Sequence, residues 1–291
     1  MDCVLAGYDA TMKIKKMQLL KAIMAIELAI IVVGLGFMLH ENYFKKHAHV
    51  LVINVHGEVI STDGSNPYLG VIMNESGLKA SATEIVKILQ KYEKDENVKA
   101  FILDIDSNGG DGIGQEELEK QFSLMKKPVV SVIRDKALSS GYYVASTTNR
   151  IFASELSNVA DIGHTTIMEY SKDKINYKKC HISSSDFKRM YYDDCEGFEN
   201  TQAYKEEKNN LIYLTEIMAI KIAHHRNLSV NHVMNLADGT IFTGIGALKL
   251  GLIDQIGDAY DAKNWLEKQL GMKLDLVYFR EIQPDTTKGL N

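Results

Sequence analysis

The 291-residue chain contains few prolines and few cysteines, and it has no long run of basic residues. Because only Pro67, Pro128 and Pro284 occur, long structureless linkers are not expected. The formal net charge of −5 provides no basic face for phosphate backbones, so nucleic acid is not an expected partner. With 45% hydrophobic and 24% charged residues, the composition is that of a globular protein with one core domain and an appendage.

The three cysteines, Cys3, Cys180 and Cys195, form no C-x-x-C pair, and no histidine lies at a spacing that would complete a zinc site. A metal site is therefore not expected. Cys180 and Cys195 flank a polar segment. They form either a disulfide, if this part of the chain is exported, or two free thiols.

One apolar run near the N-terminus is long enough to cross a membrane. Residues 22–39 are apolar except for Glu27, and about eighteen helical residues span roughly 27 Å, close to the hydrocarbon thickness of a bilayer. Lysines before the run favour a cytoplasmic segment at residues 1–21 and a body outside the membrane. We expect a single-pass signal-anchor at 22–39 that contacts membrane lipid, followed by the main domain at 48–279. A cleaved signal peptide or a buried helix is the alternative.

Apolar strands alternate with helical patterns in the first half of the main domain. Strands are predicted at His49–Val55, Val98–Ile105 and Val129–Ile133, with helices at Ala82–Lys94 and Glu116–Lys126 between them. This order predicts an α/β fold with a parallel sheet, right-handed crossovers and helices on the sheet faces. Ligands bind such sheets at the carboxyl ends of the strands, which places the expected site at the segments after Ile105 and Ile133.

The second half of the domain is predicted to be mostly helical. Residues 154–186 lack a clear period and are predicted to be irregular, and a long helix is expected at Ala203–His225. Shorter helices are expected near 229–236, 243–250 and 259–270, with Ser229 and Thr243 as N-caps, and a last strand at Leu274–Phe279.

Two segments at strand ends carry residues that could perform chemistry. Ser139 lies in Leu138–Tyr143 (LSSGYY), at a strand-to-helix junction where a helix N-terminus favours negative charge. Taken alone, a serine there is more ordinarily an N-cap. Ser107–Gly110 (SNGG) follows the preceding strand, and its N–H groups could stabilise an oxyanion, although alone it indicates only a turn.

Together these segments resemble the signal peptide peptidase A (protease IV) family of serine peptidases, in the Clp/crotonase superfamily. The family pattern S-P-G-G, K-P-V and A-S-G-G-Y-Y corresponds here to Ser107–Gly110, Lys127–Val129 and Leu138–Tyr143. Residues 236–254 contain L-A-D-G, T-G, A-L and L-G-L-x-D, which is similar to the C-terminal signature of the family. The resemblance extends over about Val50–Gly271 and implies a Clp/crotonase-like parallel-sheet core.

The resemblance also implies a Ser-Lys dyad. Ser139 matches the nucleophile, and Lys188, in SSDFKR, is the nearest match to the family's lysine. A lysine can act as a base only when its pKa falls by several units, which burial can achieve. The N–H groups of Gly109 or Gly110 and of Ser140, which precedes Gly141, are expected to bind the oxyanion. The competing lysines nearby are Lys172, Lys174, Lys178 and Lys179.

Three residues depart from the family pattern. Asn108 replaces a proline, Ser140 replaces a glycine, and Asp161 stands where the family has a serine hydroxyl that orients the lysine. Asp161 could replace that hydroxyl as a charge partner, but a nearby carboxylate raises the pKa of a lysine and makes it a poorer base.

The resemblance implies a membrane-anchored endopeptidase that cleaves short hydrophobic peptides, such as signal-peptide remnants, without a cofactor. A silent member that binds peptides or acts as a scaffold in the membrane is the main alternative, because of Asp161. Related membrane proteases with stomatin partners and the acyl-CoA enzymes of the crotonase branch are further alternatives.

The resemblance further implies a homo-oligomer with active sites at subunit contacts. Single-domain members of the family form rings or domes, in which the lysine that reaches a serine comes from the neighbouring chain. The polar segment at residues 154–199 is expected to need such a neighbour to become ordered.

Overall fold

A computed structural model describes residues 21, 23–36, 48–61, 71–74, 77–170, 178–189, 195 and 197–279. The chain divides into two compact units, Met1–His47 and Ala48–Asn291. In the first unit, Lys21 and residues 23–36 form helix α1, and their side chains are exposed. No helix among the described residues meets the length and hydropathy needed for a membrane span. Residues 22 and 37–39 of the expected anchor lie outside the described part of the chain.

The second unit contains both strands and helices. The strands are β1 (His49–Ile60), β2 (Val71–Asn74), β3 (Gly77–Ser81), β4 (Val98–Gly110), β5 (Val129–Leu138), β6 (Arg150–Ala153), β7 (Asn158–Ala160), β8 (Thr165–Tyr170), β9 (Lys178–Ser183), β10 (Ile241–Thr243), β11 (Gln255–Ile256) and β12 (Asp275–Tyr278). The helices are α2 (Ala82–Glu93), α3 (Gly112–Leu124), α4 (Ser140–Ser146), α5 (Asp186–Arg189), α6 (Gln202–Arg226), α7 (Val230–Met234), α8 (Gly244–Lys249) and α9 (Ala259–Leu270).

The central sheet is mainly parallel, which confirms the predicted α/β class. Its strands lie in the order β10–β7–β5–β4–β1–β3–β2, and β1, β4 and β5 are parallel neighbours at its centre. Both faces of these strands are covered, so they read as continuous apolar runs. Leu51 and Phe101 pack in one core with α2, α4 and α6, whereas Val52 and Ile102 pack in a second core against α9. The alternation follows from the two-residue period of a strand.

The sheet divides into two branches along the length of its central strands. The first half of β5 pairs with β6, and its last residues, Lys136–Leu138, pair with β7. In the same way, β1 pairs with β12 at its start and with β3 at its end. The ends of β4 and β5 therefore lie in the branch that contains β7, and this branch carries the candidate site.

Two sequence-based expectations about secondary structure were wrong. The glycine segment after Ile105 is not a free turn, because β4 continues to Gly110 and pairs with Val59 after a register shift. Residues 154–186 are not irregular, because β7 and the antiparallel β8–β9 hairpin lie there. The hairpin is joined to the following segment by a disulfide between Cys180 and Cys195, so the disulfide alternative was the correct one.

The β8–β9 hairpin packs against helix α6 of its own chain. Cys180, Ile182 and Cys195 are fully buried, and with Tyr204 and Leu211 of α6 they form a small third core. The described part of this segment thus has a small core of its own, and its need for a neighbouring chain stays a prediction.

Candidate active site

Ser139 lies at the single-residue junction between β5 and α4. Its backbone has φ 52° and ψ −122°, a conformation that residues other than glycine rarely adopt. The Ser139 N–H donates to the Ala160 carbonyl at 2.8 Å, and its side chain does not cap the helix. Ser139 thus occupies the N-cap position of α4, but its hydroxyl does not perform the ordinary capping role. Strained conformations of this kind cluster at functional sites, because the surrounding structure must hold them in place.

Two glycine–serine contacts fix the end of β4 against this junction. A Cβ atom on Gly109 would lie 2.8 Å from Ser139 Cβ, and a Cβ atom on Gly141 would lie 2.9 Å from Ser107 Cβ. The Ser107 hydroxyl donates to the Gly57 carbonyl at 2.6 Å, which ties the same point to β1. Only glycine permits this approach, which explains why both motifs contain it.

The structure separates the candidate oxyanion donors. The Gly109 N–H donates to Ser107 Oγ at 3.1 Å and is therefore occupied. The Asp111 N–H donates to the Val59 carbonyl on β1. Backbone groups of successive strand residues point to opposite sides, so the N–H and carbonyl of Gly110 point away from β1. There the Gly110 carbonyl accepts from Ser140 Oγ at 3.0 Å. Among the described residues the Ser140 N–H has no acceptor. Gly110 and Ser140 are thus the better pair.

The Ser140 hydroxyl, an added group relative to the resembled family, is buried and has this Gly110 carbonyl as its acceptor. The exposed Asn108 likewise leaves the backbone path of β4 intact. Neither departure removes a backbone donor from the site.

Lys188 lies on the short helix α5, and its side chain is 8% exposed. Its amino group donates to Asp161 twice, to the main-chain carbonyl at 2.8 Å and to Oδ2 at 2.6 Å. Burial lowers the pKa of Lys188 below its ordinary value, although the Asp161 carboxylate acts in the opposite direction. Burial also raises the pKa of Asp161, against the effect of Lys188. Lys188 therefore has the burial that a lysine base needs, together with a carboxylate partner that opposes its deprotonation.

Residues of the C-terminal signature hold the lysine-bearing segment. A Cβ atom on Gly239, which has φ 85°, would lie 2.8 Å from Lys188 N, so this contact requires glycine. Ser185 caps α5 by accepting from Lys188 N–H at 3.3 Å, and its hydroxyl donates to the Asp238 carbonyl. The L-A-D-G motif thus acts on the site through the position of Lys188.

The end of the same signature contacts α4, the helix that follows Ser139. The hydroxyl of Tyr142 donates to the Leu252 carbonyl at 2.9 Å, and Tyr142 is fully buried. Arg226 of α6 pairs with Asp254 at 2.8 Å, and Asp254 also accepts from Ile151 N–H at 2.7 Å. These bonds join α4, α6 and β6 beneath the site.

Ser139 and Lys188 of one chain approach each other through Gly163. Ser139 Oγ donates to the Gly163 carbonyl at 3.4 Å, and a Cβ atom on Gly163 would lie 3.5 Å from Lys188 Cδ. No hydrogen bond between described residues links Ser139 Oγ to Lys188 Nζ. The two candidate residues thus lie against one loop, and no hydrogen bond between described residues joins them.

His164, next to this loop, was not singled out from the sequence. Its ring Nδ1 lies 3.1 Å from Thr215 Oγ1, and its backbone N–H donates to Ser184 Oγ at 3.1 Å. Burial, together with the charge of Lys188, lowers the pKa of His164 below its ordinary value. Thr215 lies 51 residues further along the chain, on α6, so no local pattern could have indicated this contact.

Metal ligands are a separate question. No group of three or more histidine, cysteine, aspartate or glutamate side chains suited to a metal ion occurs in the part of the chain that the structure describes.

Comparison with known proteins gives a family for this arrangement. Residues 121–273 match the model of peptidase family S49, a range that contains Ser139 and Lys188 but not Gly110. The chain is 34% identical to a protein of Methanocaldococcus jannaschii named as a protease, over 65% of this chain and 62% of the relative. It is 28% identical to a protein named signal peptide peptidase SppA in Enterococcus faecium, over 82% of this chain and 68% of the relative.

A longer relative matches over a smaller share of its length. The chain is 27% identical to protease 4 of Haemophilus influenzae, over 78% of this chain and 35% of that relative. The chain thus spans between about a third and two thirds of the length of these relatives.

Proposed function

The chain belongs to peptidase family S49, and from that membership we propose that it is a serine endopeptidase with a Ser139–Lys188 dyad. The observation that carries this proposal is the strained backbone of Ser139, whose hydroxyl contacts the loop against which the buried Lys188 packs. A serine at a strained junction and a desolvated lysine are the two components of such a dyad.

In the proposed reaction, Ser139 Oγ attacks the scissile carbonyl carbon while the neutral amine of Lys188 takes the hydroxyl proton. The N–H groups of Ser140 and Gly110 donate to the resulting oxyanion. Lys188 then gives its proton to the leaving amine, the C–N bond breaks, and an acyl-enzyme remains on Ser139. Water, deprotonated by the same lysine, hydrolyses the ester and restores the serine. These reaction steps require no cofactor.

The proposed substrates are short hydrophobic peptides, such as the remnants of signal peptides. This proposal rests on the resemblance of the motifs and on relatives named signal peptide peptidase and protease 4. Quenched fluorescent peptides with apolar and with charged centres would compare the two substrate classes directly.

We also propose that residues 22–39 anchor the protein in a membrane, with the main domain outside the cytoplasm. The apolar run and the preceding lysines support this topology, and residues 23–36 are helical. The Cys180–Cys195 disulfide is typical of an oxidising compartment. Carbonate extraction tests this proposal, because an anchored chain stays in the membrane pellet whereas a peripheral chain is released into the supernatant.

A second copy of the chain is the proposed partner. The lysine of one chain makes no hydrogen bond to its own serine. An exposed apolar patch lies beside β7, where Ile245 N–H donates to the Glu155 carbonyl next to Leu156, which is 81% exposed. Ile241 and Leu248 are exposed in the same region, on β10 and α8. These observations suit an interface between copies near the site.

A fluorophosphonate probe tests the nucleophile. We expect the probe to label the unchanged protein, and Ser139→Ala to abolish labelling. Ser140→Ala is the matched control, because it removes the neighbouring hydroxyl but retains the backbone N–H, and it should still be labelled. Lys188→Met should lower the labelling rate about 10²- to 10⁴-fold, as expected for loss of a general base. Equal labelling of Ser139→Ala and the unchanged protein would contradict the proposal.

The Asp161–Lys188 ion pair favours one other function, a silent peptidase fold that binds peptides or acts as a scaffold. An unlabelled protein that still binds apolar peptides across the full pH range would support that function instead.

A further inference from the structure

The amino group of Lys188 is bound twice by one residue. Among the described residues, it donates one hydrogen bond to the main-chain carbonyl of Asp161 and one to its carboxylate. An amine nitrogen is tetrahedral, with three N–H bonds when charged and with two N–H bonds and a lone pair when neutral. Asp161 therefore occupies two of the three directions and leaves one for a proton or a lone pair.

The backbone that makes this attachment is strained. Ala160 has φ 89° and Asp161 has φ 51°, so two consecutive residues with a Cβ atom lie in the left-handed region. The segment is held from both sides, because the Ala160 carbonyl accepts from Ser139 N–H at 2.8 Å and Asp161 N–H donates to the Thr240 carbonyl at 3.1 Å. This conformation directs the main-chain carbonyl oxygen and Oδ2 of Asp161 toward Lys188. The bond from Ser139 N–H to Ala160 links the same segment to the proposed nucleophile.

Among the described residues, few other charged groups act on this pocket. Burial, together with the charge of Lys188, lowers the pKa of His164, which favours its neutral form. The Asp238 carboxylate accepts from Thr240 N–H at 2.9 Å, and Asp186 of α5 is exposed. Asp161 is thus the charged group bonded to Lys188 among the described residues.

We propose that Asp161 is a positioning residue that both aims the Lys188 amine and keeps it protonated near neutral pH, so that activity develops under alkaline conditions. The inference rests on the proposed dyad and adds a control to it. The carbonyl and the carboxylate fix the direction of the nitrogen, and the negative charge stabilises the ammonium ion. The ammonium ion must lose one proton to water before the amine can accept the proton of Ser139.

The sign of the effect follows from the charge. Removing the carboxylate removes the stabilisation of the ammonium form, so Lys188 becomes neutral at a lower pH. Asp161→Asn retains the main-chain carbonyl and an acceptor oxygen but not the charge. Asp161→Ser instead supplies a hydroxyl, as in the resembled family, and provides a second variant if the asparagine protein folds poorly.

Two measurements test the proposal on the same proteins. The first is the acid limb of kcat/KM against pH for a quenched peptide. The second is the pH dependence of Lys188 labelling by an amine reagent, read by mass spectrometry, which requires no peptidase activity. In both variants we expect both curves to move to lower pH by about one unit or more, with an activity gain of about tenfold at pH 7. Asp135→Asn removes an exposed carboxylate and should leave both curves in place.

The outcomes separate this proposal from the proposed function. Unchanged Lys188 labelling in folded Asp161→Asn and Asp161→Ser overturns the role of Asp161, whatever the activity. A shifted Lys188 titration without hydrolysis at any pH upholds the role of Asp161 and overturns the peptidase proposal. A lower kcat with an unmoved acid limb would show that Asp161 is structural only.

Discussion

At the scale of single residues, the site depends on glycines that let two strand ends touch. Gly109 has φ 115°, and an added methyl group would lie 2.8 Å from Ser139 Cβ and 3.1 Å from the Leu138 carbonyl oxygen. The atoms that the methyl group would meet belong to or adjoin the backbone and cannot rotate away, so Ser139, the proposed nucleophile, would move. A displacement of about 1 Å in a catalytic group can lower a rate about 10²-fold.

We therefore expect Gly109→Ala to lower the fluorophosphonate labelling rate of Ser139 by about 10²-fold and stability by about 1–3 kcal/mol. Gly112→Ala, three residues later on α3, is the control, because nothing lies within 4 Å of its added methyl group. Stopped labelling reactions and thermal unfolding measure both effects. A Gly109→Ala protein that reacts as fast as Gly112→Ala would show that the contact does not position the serine.

The contact between the two motifs could be predicted, because SNGG and LSSGYY lie at the ends of neighbouring strands of a parallel sheet. The roles of Ser139 and the glycines in chemistry stay predictions. The distinction between Gly109 and Gly110 could not be predicted, since it depends on the Ser107 hydroxyl and on the register between β1 and β4.

At the scale of elements, the segment that carries Lys188 is fixed by a covalent bond as well as by packing. Cys180 on β9 and Cys195 are 15 residues apart, and Lys188 lies between them. Lys188 thus belongs to a closed loop whose ends are buried against α6. Its position depends on this loop.

Replacing Cys180 and Cys195 with alanine together should lower the free energy of unfolding by about 3 kcal/mol, the value for a loop of this length. We expect the rate of Ser139 labelling to fall as well, at temperatures where the main sheet is still folded, because Lys188 loses its fixed position. Circular dichroism and probe labelling on one sample separate the two effects. Cys3→Ser is the control, since it leaves the disulfide intact. Unchanged labelling would show that α5 and Gly239 hold the lysine without the disulfide.

The central strands were predictable, whereas the hairpin was not. The central strands are covered on both faces of the sheet, so their successive residues are buried and apolar; Leu51 and Phe101 lie in one core, and Val130 lies in the other. In β8 the side chains alternate between exposed and half-buried, and its core is completed by α6 and a disulfide. A strand of that kind has no apolar run, so residues 154–186 were predicted to be irregular.

At the scale of the whole molecule, two arrangements of the dyad are compatible with the geometry. Within one chain, Ser139 and Lys188 share Gly163 as a neighbour, and no hydrogen bond between described residues joins them. Between copies, the exposed Leu156 patch beside β7 suits an interface, and β7 pairs with the last residues of β5 before Ser139. The sequence cannot predict which arrangement forms, because an interface carries no period comparable to that of a strand or helix.

Mixing two inactive proteins decides between these arrangements. We propose that the lysine of one copy serves the serine of the next, so Ser139→Ala and Lys188→Met chains, unfolded and refolded together, should recover part of the activity. Recovery is expected because some interfaces then join an intact serine to an intact lysine, whereas each variant alone stays inactive. Adding Leu156→Glu to both chains should abolish recovery by disrupting the interface, and Leu124→Glu, an equally apolar exposed change on α3, should not. If mixed oligomers verified by mass spectrometry stay inactive, each chain completes its own site, and Lys188 must reach Ser139 across the Gly163 loop.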